Sequence, residues 1–276
     1  MQASTFSFER LSARNLQRGG VTALEKLGFR NGFKTLIGIS TGAPVISYFA
    51  AGQSALGTSI YYEENISNNF INFNKIFRRG KQIVDINFIC DIFRGKVKNK
   101  KINLDSFYKN NSDIFYVLTN EKTGNPYFLN AKAVYDPIEG IRASAAIPVL
   151  YSDDVVISGR KYVDGAVAGD FPIKKILKEV KPTSILIFAN RHKTFVTPFL
   201  EKLFIYYASI GKSVGFKNSF KNSELNFKIN LNFLQKSKLP YVIIWTDNKV
   251  GTFEQNAKKL KAAANRFEKF VFKLLK

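Results

Sequence analysis

Apolar residues along the chain fall into short runs broken by glycine, proline and Asn/Lys-rich stretches, and the runs carry two different periods. Val21–Leu27 has helical spacing and stops at Gly28, a residue suited to a helix C-cap. Lys34–Ser40 ("KTLIGIS") is continuously apolar after its first residues and predicts a buried strand. A helix over Ala43–Ala51 follows, with Pro44 tolerated in its first turn and Gly52 closing it. The aromatic, basic and weakly periodic stretch Phe70–Lys101 predicts short helices laid over a sheet. Asp113–Asn130 predicts a hairpin around Lys122-Thr123-Gly124-Asn125, and Ile138–Pro148 a small-residue helix stopped by proline. Asp154–Val167 predicts a second hairpin, turning at Ser158-Gly159-Arg160 and running into Asp164-Gly165. Helix Pro172–Val180, strand Ser184–Asn190, a looser helical stretch from Pro198, strand Tyr241–Thr246 and a final helix Phe253–Leu275 complete the pattern. With no internal repeat or linker, alternating strands and helices predict one layered α/β domain over residues 1–276.

Composition narrows the function more than the fold. Hydrophobic residues make up 45% of the 276, enough for a large core. The single cysteine, Cys90, excludes an internal disulfide framework and a Cys-based zinc cluster. No apolar run is long enough to cross a bilayer, and the first residues lack the layout of a secretory signal. The expectation is a soluble or membrane-peripheral, cytoplasmic protein. A net charge of +21 suits anionic lipid headgroups or nucleic acid. The lysines are spread along the whole chain, so solvated lysine faces explain much of that charge. No nucleic-acid-binding signature is present, and no nucleic-acid partner is expected. At the C-terminus, Leu260, Ala264, Phe267, Val271 and Leu274 lie at helical spacing among lysines. Such a basic amphipathic helix (253–275) can lie on an anionic membrane; docking of its stripe on the domain is the weightier reading.

The chemistry centres on Gly38-Ile39-Ser40-Thr41-Gly42, a Gly-x-Ser-x-Gly pattern between a strand and a helix. A serine on so sharp a turn has strained backbone angles, and Gly38 and Gly42 remove side chains that would clash with strand and helix. Its hydroxyl then projects over the sheet end, beside the positive end of the following helix. A nucleophilic serine needs a base, and two are available. Ser40, Asp164 and His192 occur in the chain order of an α/β-hydrolase triad, but His192 lies in the basic stretch "NRHKTF" and little chain precedes Ser40. Alternatively Asp164 takes the proton directly. A carboxylate near its ordinary pKa of about 3.9 is a weak base, made workable by partial desolvation and hydrogen-bond reach of the hydroxyl. Taken alone, Asp164-Gly165 is better read as an ordinary turn at a hairpin exit.

Three linked segments, Gly38–Gly42, "IRASAAIP" (Ile141–Pro148) and "GRKYVDGAVAGDFPI" (Gly159–Ile173), together resemble the patatin-like phospholipase family. Weaker similarity extends the likeness over roughly residues 20–190. The resemblance implies a three-layer α/β sandwich with a mostly parallel central sheet flanked by helices. It implies a lipid acyl hydrolase of phospholipase A type, with Ser40 as nucleophile and Asp164 of Asp164-Gly165-Ala166 as base. An acyl-enzyme follows, with a phospholipid or other lipid ester as substrate, peripheral contact with anionic membrane, and no metal or cofactor. His192 is then a bystander. One part departs from the family, whose first strand runs into a Gly-Gly-Gly-x-Arg-Gly oxyanion loop. Here Arg14 aligns with the family arginine and Gly20 with a later helix glycine. Arg10, Leu11 and Ser12 stand where the three glycines belong, and no glycine precedes Gly19. Arg14, Gly19 and Gly20 are therefore the oxyanion candidates, and the first strand reads as missing or altered. A catalytically weakened membrane-binding scaffold and a triad esterase are the alternatives.

Overall fold

The computed structural model of the chain describes residues 4–8, 16–60, 62–63, 85–97, 99–148, 150–169, 171–189, 205–245 and 256–276. Several predicted features fall outside them: Arg14, His192, the stretch from Pro198 up to residue 204, and the whole 70–84 part of the aromatic region.

Eight strands form one sheet: β1 (Ser4–Phe8), β2 (Phe33–Ile39), β3 (Asp113–Asn120), β4 (Pro126–Asn130), β5 (Val155–Ile157), β6 (Arg160–Asp164), β7 (Ser184–Ala189) and β8 (Tyr241–Trp245). Their order is β5-β6-β3-β2-β1-β7-β8, with β4 also paired to β3. The run β3-β2-β1-β7-β8 is parallel, while β4, β5 and β6 add antiparallel pairings, so the sheet is mixed.

Period-two alternation splits the core between two faces. Leu36, Ile114, Tyr116 and Leu118 point to one side, Ile37, Ile39, Val117, Ile185 and Ile187 to the other. On the first face lie α1 (Leu16–Lys26), α2 (Gly42–Ala50), α4 (Ile86–Phe93), α6 (Pro137–Ala145) and α10 (Ala257–Leu275), with α3 (Ser54–Ser59) and α5 (Leu104–Lys109) at its rim. On the second lie α7 (Ile173–Glu179) and α9 (Ser223–Lys236), preceded by α8 (Val214–Lys221). Helices on both faces of the sheet make the expected three layers. Every residue of α2 is buried, the mark of a helix sunk in the core rather than laid on it.

One expectation changes and a weightier reading holds. The first strand is present: β1 sits mid-sheet, with Phe8 opposite Gly38 of β2 and Phe188 of β7. Its sequence, STFSF, has no apolar run to announce it. Its place comes from two parallel neighbours rather than from local propensity. The C-terminal helix spends its stripe inward. Leu260, Ala263, Ala264, Phe267 and Val271 are buried, Phe188 meets Phe267 at a 6.2 Å centroid separation, and Lys26 of α1 reaches Glu268 at 2.5 Å. Among the described residues no helix is long and apolar enough to cross a membrane.

Candidate active site

The β2–α2 turn is as tight as the sequence requires. Ser40 has φ 55, the left-handed region, at a cost of roughly 1–2 kcal/mol for a residue with a Cβ. Helix α2 folds straight back over the strand, so that a Cβ at position 38 would stand 2.6 Å from Ala43 Cα. Only glycine fits there. The turn is closed by the Ala43 N–H donating to the Ser40 carbonyl at 3.0 Å. It is braced from outside as well: the Ser40 N–H donates to Ser144 Oγ at 2.9 Å, and that hydroxyl donates to the Val117 carbonyl at 2.8 Å. The strained conformation is thus held by α6 and β3 together.

The sheet register explains why Asp164 arrives at the same place. Strand β4 lies along one edge of β3, from Phe115 to Thr119. The other edge is shared end to end. β2 stops with Ile39 opposite Val117, and β6 takes the next position with Asp164 opposite Leu118. Ser40 leaves the end of one strand where Asp164 leaves the end of the other, and Ser40 Oγ donates to Asp164 Oδ2 at 2.6 Å.

Each remaining polar atom of that aspartate is placed. Its N–H donates to the Ala146 carbonyl at 2.9 Å, and its carbonyl accepts from Thr119 Oγ1 at 2.8 Å. Oδ1 accepts from the Ala166 N–H at 2.8 Å, within a 3₁₀ turn over Gly165–Ala168. Thr119 Oγ1 also accepts from the Ala168 N–H at 3.0 Å, tying both ends of the turn to β3. The exposed fractions of Ser40 and Asp164 are 0% and 2%. The pair therefore sits in a low-dielectric setting, where a hydrogen bond is electrostatically stronger than in water.

Sequence reasoning named Ser40, Asp164 and their glycines and missed Ser144 and Thr119. The available signal was a small polar residue in an otherwise apolar, small-residue segment. Thr41, at 8% exposure, is the N-cap residue of α2, and its Oγ1 is buried without a partner among the described residues. Gly19 and Gly20 do not form an oxyanion loop. They lie in α1 beyond the first turn, whose amides alone are free in a helix. Their missing side chains serve packing: a Cβ would fall 2.1 Å from the Ala264 carbonyl oxygen at position 19 and 2.4 Å from the Phe188 ring at position 20. Cys90 is buried and its thiol is pushed up to about 12 by that burial, which leaves it protonated and unreactive. Among the described residues no cluster of three His, Cys, Asp or Glu side chains is set to hold a metal ion.

The family model described as patatin-like phospholipase matches residues 16–177, more than half of the chain. The uncharacterized protein YjjU of Escherichia coli (strain K12) is 22% identical over 169 residues, covering 61% of this chain and 46% of that protein. The chain thus spans less than half the length of that relative. Among solved structures, VipD from Legionella pneumophila superposes with a TM-score of 0.56 at 10% identity, over 99% of this chain and 67% of that one. At that identity the likeness is one of fold. The complex of SpcU with ExoU from the type III secretion system of Pseudomonas aeruginosa matches with a TM-score of 0.42 at 12% identity. It covers 99% of this chain and 52% of that one.

Proposed function

The chain belongs to the patatin-like phospholipase family, and from that premise we propose that it is a lipid acyl hydrolase in which Ser40 attacks the ester carbonyl and Asp164 handles the proton. The observation that carries this reading is the 2.6 Å contact from Ser40 Oγ to Asp164 Oδ2, made by a serine held at positive φ. As Oγ bonds to the carbonyl carbon, its proton passes to Oδ2. The protonated Asp164 then returns that proton to the leaving alkoxide as the ester C–O bond breaks, leaving an acyl group on Ser40. Asp164 next takes a proton from water, the resulting hydroxide attacks the acyl carbonyl, and the fatty acid leaves as Oγ regains its proton. One carboxylate serves every step, so neither His192 nor a metal is called on. The substrate class is a phospholipid or related lipid ester.

The oxyanion needs donors that a glycine loop does not supply. The N-terminus of α2 lies next to Ser40, and the Thr41 hydroxyl is the buried donor there with no partner of its own among the described residues. We assign it to the developing oxyanion. Thr41→Val is expected to slow acylation about 10²-fold, the usual cost of one such donor. It should leave the melting temperature unchanged or higher, because an unpaired buried hydroxyl is removed. A normal rate in this variant would remove Thr41 from the mechanism.

The direct test is a fluorophosphonate probe, which labels an activated serine covalently. Labelling is expected for the wild-type chain and for His192→Ala, and not for Ser40→Ala. A folded wild type that resists the probe would instead support the scaffold reading. Loss of labelling in His192→Ala would support the triad.

A further inference from the structure

With the stripe of α10 committed to the core, four of the five most exposed large apolar side chains among the described residues lie together at another corner. Tyr206 is 67% exposed, Ile210 62% and Val214 73%, with Tyr207 beside them at 59%. These residues surround a turn at Gly211, where φ is 74 and a Cβ would meet nothing within 4 Å, so the turn stands out into open space. The two tyrosines stack edge to face at 5.7 Å. Such amphipathic rings are the side chains that settle at a bilayer interface.

The corner is firmly seated, and its seat is the wall of the candidate active site. Ile205, Ala208, Phe216 and Phe220 pack on Val163 and Val167, the residues that bracket Asp164-Gly165-Ala166. Ser213 Oγ donates to the Glu121 carbonyl at 3.0 Å and Ser219 Oγ to the Gly124 carbonyl at 2.6 Å, clamping the segment to the β3–β4 turn. Lys212 pairs with Glu121. Asn226 Nδ2 on α9 reaches the Ala168 carbonyl at 3.4 Å, at the end of the same 3₁₀ turn.

Charge is cationic on the side of the corner that faces α8; on its other side Tyr207 and Ile210 border Asp153 and Asp154, the latter paired with Lys161. A groove of about 660 Å³ behind the turn is lined by Tyr206, Ile210, Lys217 and Lys221. Both lysines are exposed and, among the described residues, in no ion pair. Glu224 also lines the groove, but Lys228 neutralises it at 2.9 Å. The whole chain carries +21. An apolar, tyrosine-bearing turn with unpaired lysines on its α8 side is complementary to an anionic, interfacial surface.

We propose that the corner at Tyr206, Tyr207, Ile210 and Val214, with Lys217 and Lys221 behind it, docks on an anionic lipid bilayer and holds the Ser40–Asp164 site against it. What the docking serves rests on the hydrolase reading above; the docking itself does not.

The experiment uses the full chain carrying Ser40→Ala, so that vesicles are bound but not hydrolysed. Sedimentation with vesicles of phosphatidylcholine mixed with phosphatidylglycerol is expected to pull the chain down. Vesicles of phosphatidylcholine alone should retain it at least tenfold less well. Tyr206→Ser/Ile210→Ser/Val214→Ser should weaken binding to the mixed vesicles about tenfold or more, and so should Lys217→Glu/Lys221→Glu. Phe270→Ser/Leu274→Ser, at the exposed apolar residues of α10, should bind as the parent does. All these sites are exposed, and circular dichroism melts establish that each variant is folded. The proposal is overturned if the parent binds no vesicles or binds both kinds equally. It is also overturned if the triple variant binds like the parent, or if only the α10 variant loses binding. A dimer-to-monomer shift in the triple variant would overturn it in favour of a second copy of the chain. Failure of the hydrolase reading would show separately, as an unlabelled Ser40 in a chain that still docks.

Discussion

Asp164→Asn is expected to lower kcat for a soluble carboxylic ester by about 10³–10⁴-fold while leaving the protein folded. The substitution is nearly isosteric, and the amide oxygen can keep the 2.8 Å bond from the Ala166 N–H. What changes is the other atom. The Asn nitrogen would donate toward Ser40 Oγ, so the hydroxyl loses the acceptor that takes its proton in the attack. Binding and the field of the α2 N-terminus are untouched, and they account for the residual rate. Steady-state kinetics with a short-chain p-nitrophenyl ester, together with the rate of fluorophosphonate labelling, measure the loss, and a melting curve checks the fold. If Asp164→Asn kept more than about a tenth of wild-type kcat, the base would have to be another group, and the 2.6 Å contact would be structural.

Most of the parallel sheet was legible because its strands are apolar runs bounded by glycine and proline. β2, β3, β7 and β8 all lie where the pattern places them, within a residue or two. The pairing of Ser40 with Asp164 was legible only as two turns at the ends of two strands. Nothing local to either says that β2 and β6 share one edge of β3, and that shared edge is what brings the residues together. β1 was illegible for a related reason: alternating serine and phenylalanine carries no buried-strand signal, and its neighbours define it. Ser144 and Thr119 were unreadable because a small hydroxyl declares its role only through what it touches. Gly19 and Gly20 misled in the opposite direction. Alignment with the family's oxyanion loop made them candidates as the first glycines of the chain, whereas here the pair lets α1 approach α10 and the Phe188 ring closely. The amphipathic C-terminal helix presented a choice that local sequence does not decide. Its stripe suits a membrane or, as the weightier reading, a domain surface, and contact with α1 takes it.

Gly165→Ala should be the most damaging single-methyl change at the site, losing about 3 kcal/mol of stability and at least 10²-fold in kcat. A Cβ at this position would lie 2.2 Å from the Val117 carbonyl oxygen and 2.8 Å from its carbon. Both are backbone atoms in the middle of β3, so no side chain can swing away to make room. Either β3 moves, which strains its pairing with β2 and the Ser144 bond to that same carbonyl, or the Asp164 turn lifts off the strand. The second course carries Oδ2 away from Ser40, and displacement on the order of 1 Å is enough to cost 10²-fold. Gly159→Ala provides the contrast. That glycine has φ 72, but a Cβ there would meet nothing within 4 Å. It should cost only about 1 kcal/mol, through backbone conformation alone, and leave kcat as it was. Thermal melts and ester kinetics on the two variants separate the effects. If Gly165→Ala matched Gly159→Ala in both, the close seating of the Asp164 turn on β3 would not be what positions the base. Equal stability losses with kcat falling only at position 165 would mean instead that the turn lifts while the sheet stays intact.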